Sequence, residues 1–341
     1  MKKDIMYKPE LLLPAGNAET FRAAVAGGAD AVYLGLRMFN ARGRASNFSH
    51  IQLWALLLEA KEKNIKVYLT VNTLIKNEEL PDLIEFLYFI SRTSIDAIII
   101  QDWGVYYLVK NHFPKITLHA STQMGIHNSL GTRHIDSKVF TRAVVARELR
   151  LDELKSIKKK SKVELEVFVH GALCYSFSGM CMFSCFLGGA GANRGLCAQP
   201  CRRNFFPEQA ANKGEYFFSL KDNQQVSLIP EMLKMGIESF KVEGRMKSAE
   251  YVNTVAKAYK AVIGNPELID ESIENLKNDT GREKTSYFLD NDVKDAITDN
   301  PNTGLYLGTV VRVDRDGFYI NANEDLHEGF RLRIKSHKAD T

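Results

Sequence analysis

Between residues 10 and 265, short apolar runs alternate with amphipathic segments, and this alternation constrains the fold more than any other feature of the chain. The apolar runs fall at residues 10–15 (ELLLPA), 31–36 (AVYLGL), 66–71, 97–100, 117–123, 143–147, 163–169 and 239–242, and read as strands. The segments between them read as helices. Asn17 is placed to cap a helix over 19–26. Residues 50–63 carry Ile51, Leu53, Trp54, Leu57 and Leu58 at helical spacing, and Leu151, Leu154 and Ile157 share one face. Further helices are expected at 80–95, 105–111 and 249–263. Eight strands alternating with helices argue for parallel βαβ units, whose simplest closure is a (β/α)8 TIM-like barrel. A doubly wound open sheet is the alternative, but no G-x-G-x-x-G follows the first strand.

In such a barrel the chemistry sits at the C-terminal ends of the strands. That rule collects Asn17, Asn72, Gln101, Asp102, His119, Ser121, Gln123, Arg147, Glu148, His170, Glu243 and Arg245. Independent segments thus deliver polar groups to one mouth, which points to an enzyme rather than a scaffold. The residues chosen for catalysis are His119, Gln123, Arg147, His170, Glu243 and Arg245. Each has a plainer reading beside it. His119, Ser121 and Gln123 alternate, so one continuous strand would turn all three inward as a polar layer. His170 ends an apolar strand and could close it; Glu243 and Arg245 could pair with Lys241 or others; Asp102 could cap a helix at Trp103. Arg147 has the planar guanidinium that suits anion recognition. Arg42, Arg44 and Asn47 lie in a loop that could touch phosphate or be a solvated turn, and the run 155–162 (KSIKKKSK) suits RNA or a solvated helix end.

The loop after the seventh strand, residues 170–203, holds all five cysteines: Cys174, Cys181, Cys185, Cys197 and Cys201, spaced C-x6-C-x3-C-x11-C-x3-C among glycines. Scattered structural thiols do not cluster this way. Disulfides require an oxidising compartment. The N-terminus MKKDIMYKPE shows no apolar signal core and no apolar run is long enough to span a bilayer, so a cytoplasmic chain with reduced thiols and no membrane partner is expected. Zinc and an iron–sulfur cluster remain. There is no C-x2-C zinc pair, and the wide, unequal spacing suits a cubane wrapped by a loop better than a zinc ribbon. The net charge of +4 permits nucleic-acid binding without announcing it.

The stretches EVFVHGALCYSFSGMC and NRGLCAQPCR, with PAGN at residues 14–17 and KVEGR at residues 241–245, resemble the signature of the peptidase U32 (collagenase-like protease) family over residues 8–265. The resemblance implies the barrel fold and a [4Fe–4S] cluster on Cys174, Cys181, Cys197 and Cys201, with zinc at the same positions as the alternative. It leaves Cys185 as a bystander, which its apolar setting suggests is a buried free thiol. It further implies oxygen-independent hydroxylation of a pyrimidine in tRNA or ribosomal RNA, with prephenate or a similar molecule as hydroxyl source. The family name implies a peptidase instead. The sequence shows neither H-E-x-x-H nor G-x-S-x-G, and cysteines engaged in a cluster are not free nucleophiles.

Beyond the barrel domain at 8–265, residues 266–302 read as a linker. Residues 304–313, 317–320 and 329–334 read as short strands, the start of a small C-terminal β extension over 303–341. The chain ends at Thr341 before such a β-barrel would close, so a truncated domain is expected.

Overall fold

A computed structural model describes residues 8–206, 214–277, 279–304, 306–323, 325–326, 332 and 334. Its wall is built from β1 (Glu10–Pro14), β2 (Ala31–Leu34), β3 (Lys66–Val71), β4 (Ala97–Ile100), β5 (Leu118–Ala120), β6 (Arg142–Val144) and β7 (Glu164–Ala172), each parallel to the next. A short β8 (Asp222–Gln224) runs antiparallel to the end of β7, outside the wall. β9 (Ser239–Val242) then pairs parallel with both β7 and β1, which closes an eight-stranded barrel. The expected TIM-like barrel is therefore the observed one.

The helices are α1 (Ala18–Ala26), α2 (His50–Glu62), α3 (Leu80–Ser91), α4 (Trp103–His112), α5 (Ser129–Asp136), α6 (Leu151–Lys160), α7 (Phe183–Gly188), α8 (Ile229–Met235), α9 (Ala249–Gly264) and α10 (Ile269–Leu276). Short polar residues start several of them. Asn17 accepts from the Thr20 amide at 2.9 Å while Thr20 answers the Asn17 amide, a reciprocal cap that ends β1 and opens α1. Ser49 and Gln52 do the same for α2, and Asp102 Oδ1 accepts from Gly104 and Val105 at the head of α4. The capping role of Asp102 is thus realised.

Alternation along the strands sorts two cores. Leu11, Leu13, Val32, Leu34, Leu69, Ile98 and Ile100 face the helices in the main core. Leu12, Ala31, Tyr33, Tyr68, Ala97 and Ile99 form a small cluster of their own. Beside Tyr68 and Tyr33 lies a buried charge network. Arg142 reaches Glu10, Glu164 at 2.7 Å and Glu166 at 3.3 Å, and Lys241 reaches Glu166 at 2.7 Å. Arg142 stacks over Tyr68, and Lys241 over Tyr33 and Phe168. Charges this deep survive only because each is paired.

Several expected bounds shift. The fifth strand stops at Ala120, because Ser121 caps a 3-10 turn over Thr122–Met124, so His119, Ser121 and Gln123 do not share one strand face. The sixth strand ends at Val144, which leaves Arg147 in the turn beyond it. On α2 the buried residues are Leu53, Leu56, Leu57 and Ala60, whereas Ile51 and Leu58 are exposed. The helices α5 and α8 have no counterpart in the sequence reading; each is only two turns long, too short for a helical period to stand out.

Residues 266–302 fold onto the barrel rather than hanging as a linker. Leu276 of α10 is fully buried in the main core, and β10 (Lys284–Thr285) pairs with β8. β11 (Gly308–Val313) and β12 (Phe318–Ala322) form an antiparallel hairpin with a bulge between Val310 and Arg312. The strand expected at 329–334 lies, apart from Leu332 and Ile334, outside the described residues. Among the described residues no helix is long and apolar enough to cross a membrane.

Candidate functional site

The cysteine loop leaves β7 at the barrel mouth and is tied to four other loops there. The Glu148 carboxylate accepts from the Ser178 amide at 2.7 Å and its hydroxyl at 2.9 Å, holding Ser178 at a φ of 47°, which is uncommon for a non-glycine residue. Asn193 accepts from the Cys181 amide through its side chain, and its carbonyl accepts from Leu74 N and Gln101 Nε2. Gly43 donates to the Gly195 carbonyl. Ser184, buried on α7, donates to the Ala190 carbonyl at 2.7 Å and accepts from Ala198 at 2.9 Å. Arg202 donates to the Leu173 carbonyl at 3.0 Å and to Ser219 at 3.1 Å.

These ties make Cys174, Cys181, Cys197 and Cys201 neighbours. Burial pushes the Cys201 thiol up to about 11, against the pull of Arg202, and Cys174, Cys197 and Cys181 raise it further. The Gln199 amide donates to Cys197 Sγ at 3.4 Å. Four adjacent thiols in a basic setting are the donor set that a zinc ion or an iron–sulfur cluster takes. Among the described residues, no three His, Cys, Asp or Glu side chains stand close enough to chelate an ion as they are, so the thiols are grouped without forming a closed coordination shell. Cys185 corrects the expectation of a buried thiol. It is exposed on α7, because the side of that helix turned inward is occupied by Ser184.

Next to the thiols stands a charged group. Arg42 bonds Glu243 Oε1 through Nη2 at 3.2 Å and Nε at 3.3 Å, and the Tyr33 hydroxyl, which donates to the Val242 carbonyl at 2.9 Å, lies 3.4 Å from Glu243 Oε2. Burial alone would raise the Glu243 carboxyl, but Arg42, Arg245 and Arg147 together hold it below the usual range. Arg245 is buried, donates to Asn40 Oδ1 at 3.0 Å and Thr70 Oγ1 at 3.3 Å, and is pulled down to about 10 by burial and by Arg42. Its guanidinium fills the space a side chain at Gly35 would need; a Cβ there would stand 2.2 Å from Nη1. Arg42 also feels the Cys174 thiol, so the two groups share one field.

Arg147 and Gln123 reach the same mouth from their own turns. Both lie against Gly179 of the cysteine loop, 3.7 and 3.6 Å from where its Cβ would be. Arg147 sits over the Phe168 ring and its Nε has no hydrogen-bond partner among the described residues. Gln123 accepts from Asn72 at 3.3 Å. Arg147, Gln123, Glu243 and Arg245 are therefore brought together with the cysteines.

The two histidines lie elsewhere. His119 packs edge-on against Tyr68 beside the buried Arg142 network, and burial together with Arg142 holds its ring well below the usual imidazole range. His170 is fully enclosed, with Nε2 2.8 Å from Asp279 and Nδ1 3.3 Å from the Tyr259 hydroxyl. Of the residues at the mouth, Tyr33, Asn40 and Asn193 escaped the sequence reading. Only PAGN and KVEGR hinted that strand ends nearby were special; an asparagine in a loop carries no such mark.

Comparison with known proteins decides the family. Residues 16–299 match the model of Peptidase family U32. The chain belongs to that family. A relative from Escherichia coli K12, a 23S rRNA 5-hydroxycytidine C2501 synthase, is 33% identical over 96% of this chain and 52% of its own length. The Bacillus subtilis tRNA hydroxylation protein P1 is 34% identical over 85% of this chain and 72% of its own. An uncharacterized protease of Methanocaldococcus jannaschii is 36% identical over 89% of this chain and 74% of its own. The chain thus spans about half the length of the first of these relatives and about three quarters of the other two.

Proposed function

We propose that this chain is an enzyme of RNA modification that replaces a carbon-bound hydrogen of a pyrimidine in tRNA or ribosomal RNA with a hydroxyl, without molecular oxygen. The observation that carries the reading is the shared mouth: four thiols and a Glu243-centred cluster of arginines, in a chain whose relatives include an rRNA 5-hydroxycytidine synthase and a tRNA hydroxylation protein. Cys174, Cys181, Cys197 and Cys201 would hold a [4Fe–4S] cluster, with zinc as the alternative occupant. Bound there, such a cluster supplies electron transfer or Lewis acidity.

The chain's own residues bind and orient. Arg147 has an unengaged Nε and a guanidinium steadied over Phe168, which suits a carboxylate of a prephenate-like hydroxyl donor. Glu243 holds Arg42 while Asn40 and Thr70 hold Arg245, so that the positive field is directed rather than diffuse. Gln123, supported by Asn72, is a neutral group able to read a base edge or donor hydroxyl.

A peptidase, which the family description names, needs a nucleophile beside a general base. His170, the histidine nearest the cysteines in sequence, is turned to Asp279 and Tyr259 instead. The test is mass spectrometry of nucleosides from tRNA and rRNA of a strain lacking the chain. Loss of one hydroxylated pyrimidine, restored by the wild-type gene, is expected. Persistence of every hydroxylated pyrimidine in the absence of a paralogue, or cleavage of gelatin by the pure protein, would sink the reading.

A further inference from the structure

Arg202 directly follows Cys201, the last cysteine of the loop, and reaches back to its beginning. Its Nη2 donates at 3.0 Å to the carbonyl of Leu173, the residue before Cys174. Its Nη1 donates to Ser219 Oγ at 3.1 Å and to the Leu220 carbonyl. Those acceptors are themselves fixed. The Thr298 amide donates to the Ser219 carbonyl at 2.8 Å, the Lys221 amide donates to the Ala296 carbonyl at 2.7 Å, and Leu220 bridges to Ile297. One guanidinium therefore joins both ends of the cysteine loop to a segment backed by residues 296–298. Its charge, however, is unanswered. The buried cations Arg142 and Lys241 each meet carboxylates. Arg202 is partly buried, yet all its acceptors are neutral and it has no ion pair among the described residues. The neighbouring Asp222 carboxylate is taken by Arg282 at 3.1 Å, and Arg282 itself repels Arg202. A cation withdrawn from water without a counter-charge is costly. The other groups that act on its charge are Cys201 and Cys174. Thiols are neutral, but the thiolates that bind a metal are anions.

We propose that Arg202 is the counter-charge of the metal centre on Cys174, Cys181, Cys197 and Cys201, a positioning residue that ties the loop ends together and offsets the negative charge of the bound thiolates. The proposal rests on the metal-centre reading above and adds how the chain balances that centre. Four thiolates outnumber the positive charge of a zinc ion or of a cubane core, so either occupant leaves the site negative. A guanidinium held on neutral acceptors keeps its whole charge for that site, and its rigid fork fixes where the charge stands. Reduction of a cluster adds one more negative charge, so the same cation favours the reduced state.

The test compares the full chain as wild type, Arg202→Gln and Arg202→Lys, all prepared anaerobically, with circular dichroism to check the fold. Glutamine removes the charge and keeps a donor; lysine keeps the charge but cannot span both carbonyls. Arg202→Gln should hold iron against a chelator roughly 10- to 100-fold less tightly. In a redox titration followed by absorbance, its midpoint potential should fall below that of wild type. Arg202→Lys should also lose iron faster while keeping the wild-type potential. Should glutamine unfold the chain, lysine alone decides: an unmoved potential with faster iron loss supports the proposal, and a lowered potential contradicts it. If Arg202→Gln folds and its potential matches wild type, Arg202 is a backbone tie only; the proposal falls and the cluster reading stands. If wild type is colourless and holds zinc, the cluster reading falls, and equal zinc retention in all three proteins overturns the proposal as well. Wild type that binds no metal overturns both.

Discussion

A Cβ on Gly171 would stand 2.4 Å from the carbonyl oxygen of Glu243. The two strands that carry the site, β7 and β9, touch here backbone to backbone, and the Glu243 amide donates to the His170 carbonyl at 2.9 Å. Gly171 has a φ of +102°, a conformation open to glycine and strained for other residues. The cysteine loop and the Glu243 cluster therefore share one hinge point.

Gly171→Ala is expected to cost about 2–4 kcal/mol, combining backbone strain with a clash that no flexible side chain can relieve. Urea unfolding checks it. A loss below about 1 kcal/mol would mean that β7 and β9 can separate without consequence.

Glu243→Gln should leave the barrel folded, since the amide keeps the shape. It removes the charge that holds Arg42, and the expected result is at least a tenfold loss of activity on RNA with a melting temperature lowered by no more than a few degrees. Because Arg42, Arg245 and Arg147 hold the carboxyl below its usual range, wild-type activity should show no titration of this group between about pH 5 and 8. A wild-type profile that rises through that window and becomes flat in Glu243→Gln would contradict the assignment.

Anaerobically prepared protein should be brown, absorbing near ~400 nm, with about four irons per chain. Alanine at Cys174, Cys181, Cys197 or Cys201 should bleach it, and alanine at the exposed Cys185 should not. Colourless protein holding one zinc would put zinc in the cluster's place, and bleaching by Cys185→Ala would remove that residue from the bystander role.

Asp279 is buried against His170 and Lys284, 2.8 and 2.5 Å away. Burial by itself would raise its carboxyl, but the hydrogen bond to His170 and the charge of Lys284 bring it to about 2 from an ordinary 3.8. A depressed carboxyl stabilises the fold fully above its unfolded value and loses that contribution as pH falls. On the order of 2 kcal/mol should therefore disappear between about pH 5 and 2 in wild type. Asp279→Asn should lose it at every pH and show a flatter acid limb in denaturant titrations. An identical acid limb in both proteins would place the linkage elsewhere.

Arg142→Met leaves Glu10 and Glu166 in the barrel with too few cations. Removing one member of a buried ionic network costs about 3–5 kcal/mol. The thermal midpoint should fall steeply, and the further change Arg142→Met with Glu10→Gln should recover part of it; no recovery would mean that the arginine matters for its stacking on Tyr68 alone.

The wall of the barrel was legible in the sequence because alternation of apolar runs and amphipathic segments is a local pattern, set by which faces must leave water. So was the cysteine loop, since five thiols in one glycine-rich stretch are conspicuous without any fold. Ends and faces were not legible. Whether the fifth strand ran on through Gln123 depended on Ser121 capping a turn, and that choice moved Gln123 to the mouth and left His119 beside Tyr68. Residues 266–302 gave no strong local signal, yet Asp279 reaches His170 across more than a hundred positions of sequence. The tertiary structure alone decided that Arg42 from one loop meets Glu243 just past β9, that Asn40 holds Arg245, and that Ser184 rather than Cys185 turns inward. The first two are contacts between segments about two hundred positions apart, fixed by barrel closure and by the need to pair every buried charge; the third is set within the cysteine loop, where the Ser184 hydroxyl meets Ala190 and Ala198.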